Sequence, residues 1–265
     1  MMFYLHKFLS LICLLLIVSS CEKFEYSPYE TGRLKINETL RTEYNISWLN
    51  RMPEKDTLNV VFLGDTQRFY DDLHALVDVV KHQSDVDAVI ITGDISDFGL
   101  QKEYELINKK LVELNKPVLT VVGNHDLVGK GRELYQQLYG PLNYSFTWNG
   151  IRFVFHDTNS REHGFSGKTP DIVWMREALA DSANYSGCIF VSHVPPFDGD
   201  FDKTLENKYS ELVKTSKNTL FSSNGHRHSY SLRQHYNDGI WYLNTASPSK
   251  RQYAHVTIYP FSKSE

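Results

Sequence analysis

Five short polar clusters in this sequence each follow an apolar run, and their residue types are those that bind metal ions and move protons. Gly64-Asp65-Thr66-Gln67 follows "LNVVFL", Gly93-Asp94-Ile95-Ser96-Asp97 follows "AVIIT", and Gly123-Asn124-His125-Asp126 follows "VLTVV". Ser192-His193 closes "CIFV", and Gly225-His226-Arg227-His228 closes "TLFSSN". A Gly-Asp after a strand is common as a helix cap, whereas Gly-Asn-His-Asp and Gly-His-x-His are rarer. Carboxylate, amide and imidazole together make a mixed oxygen and nitrogen donor set. Such a set suits Mn, Fe, Zn or Ni better than Ca or Mg, which favour all-oxygen shells.

The elements that must position these clusters alternate along the chain. "LNVVFL" is a β-branched run of strand length, and "DDLHALVDVVKHQ" after it places Leu73, Leu76, Val77 and Val80 on one helix face. "AVIIT", the helical "QKEYELINKKLVEL" and "VLTVV" continue the pattern, which is that of parallel βαβ units. In open α/β sheets ligands bind outside the carboxyl ends of the strands, so clusters placed there converge on one cleft. From residue 140 the pattern changes: "YSFTW" and "IRFVF" flank Asn149-Gly150, a strong antiparallel hairpin signal. Thr169 as N-cap and Pro170 at the first helical position predict a helix over "DIVWMREALA". "CIFVSH" predicts a strand, "KTLENKYSELVKTS" a helix, and "TLFSS", "YSLRQHY", "IWYLNT" and "YAHVTIY" a β-rich end. No internal repeat interrupts this single domain.

In their order and placement the five clusters resemble the calcineurin-like metallophosphoesterases, whose pattern is Asp-x-His, Gly-Asp-x-x-Asp, Gly-Asn-His-Asp/Glu, a later His and Gly-His-x-His. The resemblance spans about residues 58 to 250. It implies an α/β fold, a four-layer αββα sandwich with two mixed β-sheets, and a cofactor of two divalent metal ions, Mn, Fe, Zn or Ni. Carried over, one ion would be bound by Asp65, Gln67, Asp94 and His228, and the other by Asp94, Asn124, His193 and His226. The bridging Asp94 fits a pair of ions roughly 3.5–4 Å apart. The implied activity is hydrolysis of a phosphate mono- or diester by a metal-bridging hydroxide. His125 would stabilise the transition state or protonate the leaving oxygen, and Asp97 would orient its imidazole by accepting the other N–H.

Two departures qualify the resemblance. Gln67 stands where the pattern has His; its carbonyl oxygen can fill the same position, as a weaker neutral donor. A non-catalytic metal- or ligand-binding surface lipoprotein on the same fold is therefore the alternative, against which the retained His125 and Asp97 argue. Asp97 is followed by Phe98-Gly99, without the Arg of the family's protein phosphatases, so a small-molecule phosphate ester is the expected substrate. Arg68, Arg161, His163 and Arg227 lie beside motifs or in the loop "DTNSREHGFSG", where a substrate-contacting charge could sit. The segments 157–169 and 195–204 are the expected specificity loops.

Composition sets further bounds. In 265 residues the formal net charge is -4, which offers no basic field for nucleic acid. His6 and Lys7 precede "FLSLICLLLIVSS", an apolar stretch too short to span a bilayer comfortably and suited to a signal-peptide core. Val18-Ser19-Ser20-Cys21 resembles a bacterial lipoprotein box. The expectation is a signal over 1–20, a lipidated Cys21 opening a tether and lead-in over 21–56, and the catalytic domain over 57–265. The chain would be exported and membrane-anchored, facing the periplasm or cell exterior. Cys188, a lone cysteine in "CIFVS", reads as a small core residue.

Overall fold

The computed structural model describes residues 40–259 together with Leu34. The expected signal peptide and Cys21 lie outside the described residues. The predicted lead-in contains helix α1 (Arg41–Asn50), which packs against the strands at Val118–Thr120 and Tyr144–Trp148.

The βαβ alternation is realised as β1 (Leu58–Leu63), α2 (Tyr70–Val80), β2 (Ala88–Ile91), α3 (Gln101–Val112), β3 (Val118–Thr120) and α4 (Gly131–Leu138). Then follow the hairpin β4 (Tyr144–Trp148) and β5 (Ile151–Phe155), α5 (Ile172–Leu179), β6 (Gly187–Val191) and α6 (Lys203–Thr215). Strands β7 (Thr219–Asn224), β8 (Ser231–Arg233), β9 (Tyr242–Asn244) and β10 (Ala254–Ile258) complete the described chain. Sheet A has the order β10-β1-β2-β3 and sheet B the order β4-β5-β6-β7-β9-β8. Both are mixed: β10 runs antiparallel to β1, β4 to β5 and β8 to β9, and the remaining pairs are parallel.

Alternation along each strand explains the layers. In β1, Val60 and Phe62 face the core between the sheets, while Val61 and Leu63 pack under α2, α3 and α4. Both faces are buried from Val60 onward, so the strand reads as an apolar run broken only by Asn59. In β6, Ile189 and Val191 face the inter-sheet core and Cys188 and Phe190 pack under α5 and α6. Helices, sheet, sheet and helices make four layers, as the resemblance implied. Asn149 (φ 47°) and Gly150 (φ 74°) form the turn between β4 and β5, where left-handed conformation is required at both positions. Cys188 is fully buried on β6, as expected.

Some boundaries differ from expectation. Helix α5 is capped by Asp171, whose carboxylate accepts the Trp174 amide at 3.0 Å, and not by Thr169; the Thr169–Pro170 peptide is cis. The acidic side chain placed just before the helix is the better acceptor for its first amides. "YSLRQHY" contributes only Ser231–Arg233 to a sheet. Val121 and Val122, expected in the third strand, are buried just beyond it; the Val121 amide still donates to the Ile91 carbonyl at 3.1 Å before the chain turns toward Gly123. Sheet B is two strands wider than sheet A, and an apolar groove lined by Phe221, Leu232, Trp241 and Val256 opens beside β10.

Candidate metal centre

The segments leaving β1, β2, β3, β6 and β7 bring all seven predicted ligands to one place. Asp65 follows β1 with a left-handed φ of 52° and is fully buried. Its Oδ1 accepts the His226 amide at 3.0 Å and lies 3.5 Å from His228 Nε2. Asp94 follows β2, also left-handed, with φ 54°. Its Oδ1 accepts the His125 amide at 3.0 Å and its Oδ2 lies 3.3 Å from His193 Nε2. The Gln67 amide donates to the Asp94 carbonyl at 2.9 Å, which ties the first turn to the second. Ligand atoms of Asp65, Asp94 and His228 lie within 4.8 Å of one another. On the other side of Asp94, Asn124 Oδ1 is 3.0 Å from His193 Nε2 and 3.1 Å from His226 Nδ1. The Asp94 carboxylate thus stands between two groups of donors.

These donors fit divalent cations. His193 Nδ1 donates to the Thr92 carbonyl at 2.7 Å. In the neutral ring this turns the Nε2 lone pair toward Asn124 Oδ1 and Asp94 Oδ2, and lone pairs facing one another repel unless a proton or cation lies between them. Asp65 Oδ2 and Gln67 Oε1 are buried without a hydrogen-bond partner. An uncompensated buried acceptor costs roughly 1–3 kcal/mol, and a cation removes that cost.

Electrostatics agree. Burial drives the Asp65 carboxyl up to about 8, with Asp94 adding to the rise, against the lowering by His193 and by the His226 amide. Burial works downward on His193, but the Asp94 and Asp65 carboxylates outweigh it and push the imidazole up to about 10. Burial also disfavours the Asp94 anion, yet the charge and hydrogen bond of His193 hold it below the ordinary carboxylate range. Burial lowers both His226 and His228. Without cations the cluster retains protons, which metal binding displaces.

Close backbone approach explains two of the glycines. A Cβ at Gly93 (φ 92°) would lie 2.5 Å from His193 Nδ1, and one at Gly123 would lie 2.1 Å from the Asp94 nitrogen. Asp126, to which the sequence assigns no role, has one in the structure. Its buried carboxylate accepts the amides of Ser96 (2.8 Å), Gly123 (2.9 Å) and Ile95 (3.1 Å), and the Tyr104 hydroxyl at 3.1 Å. It clamps the second motif to the third. Burial first, and the Asp94 charge second, push it up to about 6.

The expected role of the Asp97 side chain is corrected. His125 Nδ1 lies 2.8 Å from the Asp97 backbone carbonyl and 3.4 Å from its carboxylate. That carboxylate instead receives Arg68, through Nε at 3.1 Å and through Nη2. A guanidinium is the stronger donor to a carboxylate, so residue 97 orients the imidazole through its main chain. Two further acids were missed by name. Asp198 and Asp200, in the expected specificity loop, lie 3.7 and 3.4 Å from His226 Nε2. Their signal was the alternating "DGDFD" shortly after His193. Arg227 pairs with Asp198 and Arg161 with Asp200, while His163 Nε2 lies 3.0 Å from Asp157. His156 belongs to the core, 3.0 Å from the Tyr209 hydroxyl, and burial pushes its imidazole down to about 4.

The sequence pattern of the calcineurin-like phosphoesterases matches residues 58–230. The chain belongs to this family. Among its relatives is a glycerophosphodiester phosphodiesterase of Enterobacter lignolyticus, 25% identical over 213 residues, covering 71% of this chain and 76% of that one. Another, from Coxiella burnetii, is named a probable cyclic nucleotide phosphodiesterase and is 28% identical over 134 residues, 48% of this chain and 53% of that one. A dimetal phosphatase from Danio rerio shares the fold, with a TM-score of 0.63 at 14% identity, over 78% of this chain and 94% of that one. This member differs from the family pattern at Gln67. Gln67→His should strengthen retention of the first cation, read as metal per chain after dialysis against chelator. Unchanged occupancy would remove residue 67 from the ligand set.

Proposed function

We propose that the chain hydrolyses a small-molecule phosphate ester with two divalent cations, one held by Asp65, Gln67, Asp94 and His228 and the other by Asp94, Asn124, His193 and His226. The observation that carries this is the buried Asp94 carboxylate, which lies within 4.8 Å of ligand atoms of Asp65 and His228 and whose Oδ2 is 3.3 Å from His193 Nε2. When bound there, two cations supply a nucleophilic water at neutral pH and offset the charge that develops on the phosphoryl oxygens.

The chain's own residues position and protonate. The His125 amide fixes Asp94 Oδ1, so the same tripeptide that offers Asn124 also steadies the bridge. The Asp97 carbonyl can only accept, so His125 carries a proton on Nδ1 and presents Nε2 to the cleft. About a third of this side chain is exposed. In its protonated form the ring can hand the Nε2 proton to a departing alkoxide. Because two relatives are named as phosphodiesterases, diesters are the first substrates to test.

The test is hydrolysis of a nitrophenyl diester and monoester by protein stripped of metal and resupplied with Mn, Zn or Ni. Asp94→Asn should lower metal-dependent turnover by at least about 100-fold, since it removes the shared anion of the centre. Retained turnover in that variant would sink the two-cation proposal. His125→Ala should cost roughly 100-fold or more in kcat with an alkyl leaving group and much less with nitrophenolate, which needs no proton to depart. An equal loss with both leaving groups would remove His125 from the role of acid.

A further inference from the structure

We propose that three aspartates on the wall of the cleft select the charge state of the ester: by engaging the arginines beside the metal ligands, they favour a phosphodiester monoanion over a phosphomonoester dianion. This inference rests on the phosphoesterase proposal above and concerns which ester that same site accepts.

Two arginines flank ligand residues and a third pairs with an acid beside His226. Arg68 follows Gln67, Arg227 lies between His226 and His228, and Arg161 sits on the loop after β5. A guanidinium in such a place is suited to grip two phosphate oxygens at once. Each of these is instead held by a carboxylate: Arg68 by Asp97, Arg227 by Asp198 with Nε at 3.4 Å, and Arg161 by Asp200. The aspartate side chains are 11–18% exposed and the arginines 46–61%, so the negative member of every pair is the inner one.

The inner position matters because of what the acids face. Asp198 and Asp200 reach to 3.7 and 3.4 Å of His226 Nε2, on the ring edge opposite Asn124. Glu162, on the same loop as Arg161, is raised by burial and by the charge of Asp200, a further sign that this wall is acidic. A second phosphate charge in the cleft would therefore meet carboxylates on the wall, while the arginines that could offset it are the more exposed partners and already paired. A diester carries no second charge and escapes the conflict.

The seven ligand residues contain two carboxylates and five neutral groups, so two divalent cations leave a positive centre that attracts either ester. The selectivity thus lies in the wall. It predicts that removing the acids, and so releasing Arg161 and Arg227, improves the monoester specifically.

The experiment compares wild-type protein reconstituted with Mn and its Asp198→Asn/Asp200→Asn variant. Two readouts are taken above the second ionisation of phosphate: kcat/KM for a nitrophenyl monoester and diester, and calorimetric affinity for inorganic phosphate and dimethyl phosphate. The monoester-to-diester ratio should rise about tenfold, with a parallel gain in the phosphate-to-dimethyl-phosphate affinity ratio, given the strength of charge-assisted contacts to released arginines. Adding Arg161→Gln and Arg227→Gln should reverse both gains. An unchanged ratio overturns the proposal, and so does an equal loss on both esters, which would mean that the acids act only by holding His226. If the wild-type protein turns over neither ester, the phosphoesterase proposal fails, and the affinity ratio alone then decides whether the wall discriminates by charge.

Discussion

Seven lone-pair donors stay face to face in one cleft only with protons or cations between them, and much of this structure serves to hold them there. Asp94 is the centre of that constraint. Its carboxylate is buried, fixed on one oxygen by the His125 amide, and aimed with the other at the imidazole of His193. A proton on His193 or a cation makes that approach favourable, whereas bare acceptors facing one another would repel. Rigid sheets on both sides and a dense set of main-chain hydrogen bonds make it possible.

The sheets supply direction. Parallel strands β1, β2 and β3 in one sheet and β6 and β7 in the other end at the same edge, so turns far apart in sequence open into one cleft. The turns themselves are strained to aim side chains inward. Asp65, Asp94, His226 and His228 all adopt left-handed φ, between 52° and 70°, at a cost of about 1 kcal/mol or more each. Asp126 offsets part of that cost by receiving three amides from two different motifs, so that two turns become one unit. Stability contributed by the two apolar layers over each sheet is thereby converted into precision at the donors.

Much of this was legible in the chain. Apolar runs buried on both faces marked the parallel strands, the Asn149-Gly150 pair marked the hairpin, and polar clusters at strand ends marked the cleft. All seven predicted ligands meet there because each is within a few residues of a strand terminus, which leaves little freedom in where it points. What escaped depends on contacts between segments distant in sequence. No local pattern says that Arg68 will take the Asp97 carboxylate away from His125, or that Asp126 will receive amides some 30 residues upstream. The cap of α5 was misplaced for a simpler reason: Thr169, Pro170 and Asp171 all carry cap signals, and the anion won.

Gln67 can now be weighed against the rest of the centre. Replacing imidazole by a carboxamide exchanges one neutral donor for another, so the charge of the ligand set is the same with either residue. What changes is donor strength, and the structure limits that loss by holding Gln67 nearly fully buried, its amide tied to the Asp94 carbonyl and its Oε1 free of any competing donor. A flexible surface glutamine would be a poor ligand; a buried one with an orphaned oxygen has its entropy already removed and its acceptor undirected to anything but a cation. The departure from the family pattern is therefore compatible with an intact metal centre, and on the proposed assignment its consequence falls on how firmly, and with which metal, the first position is filled.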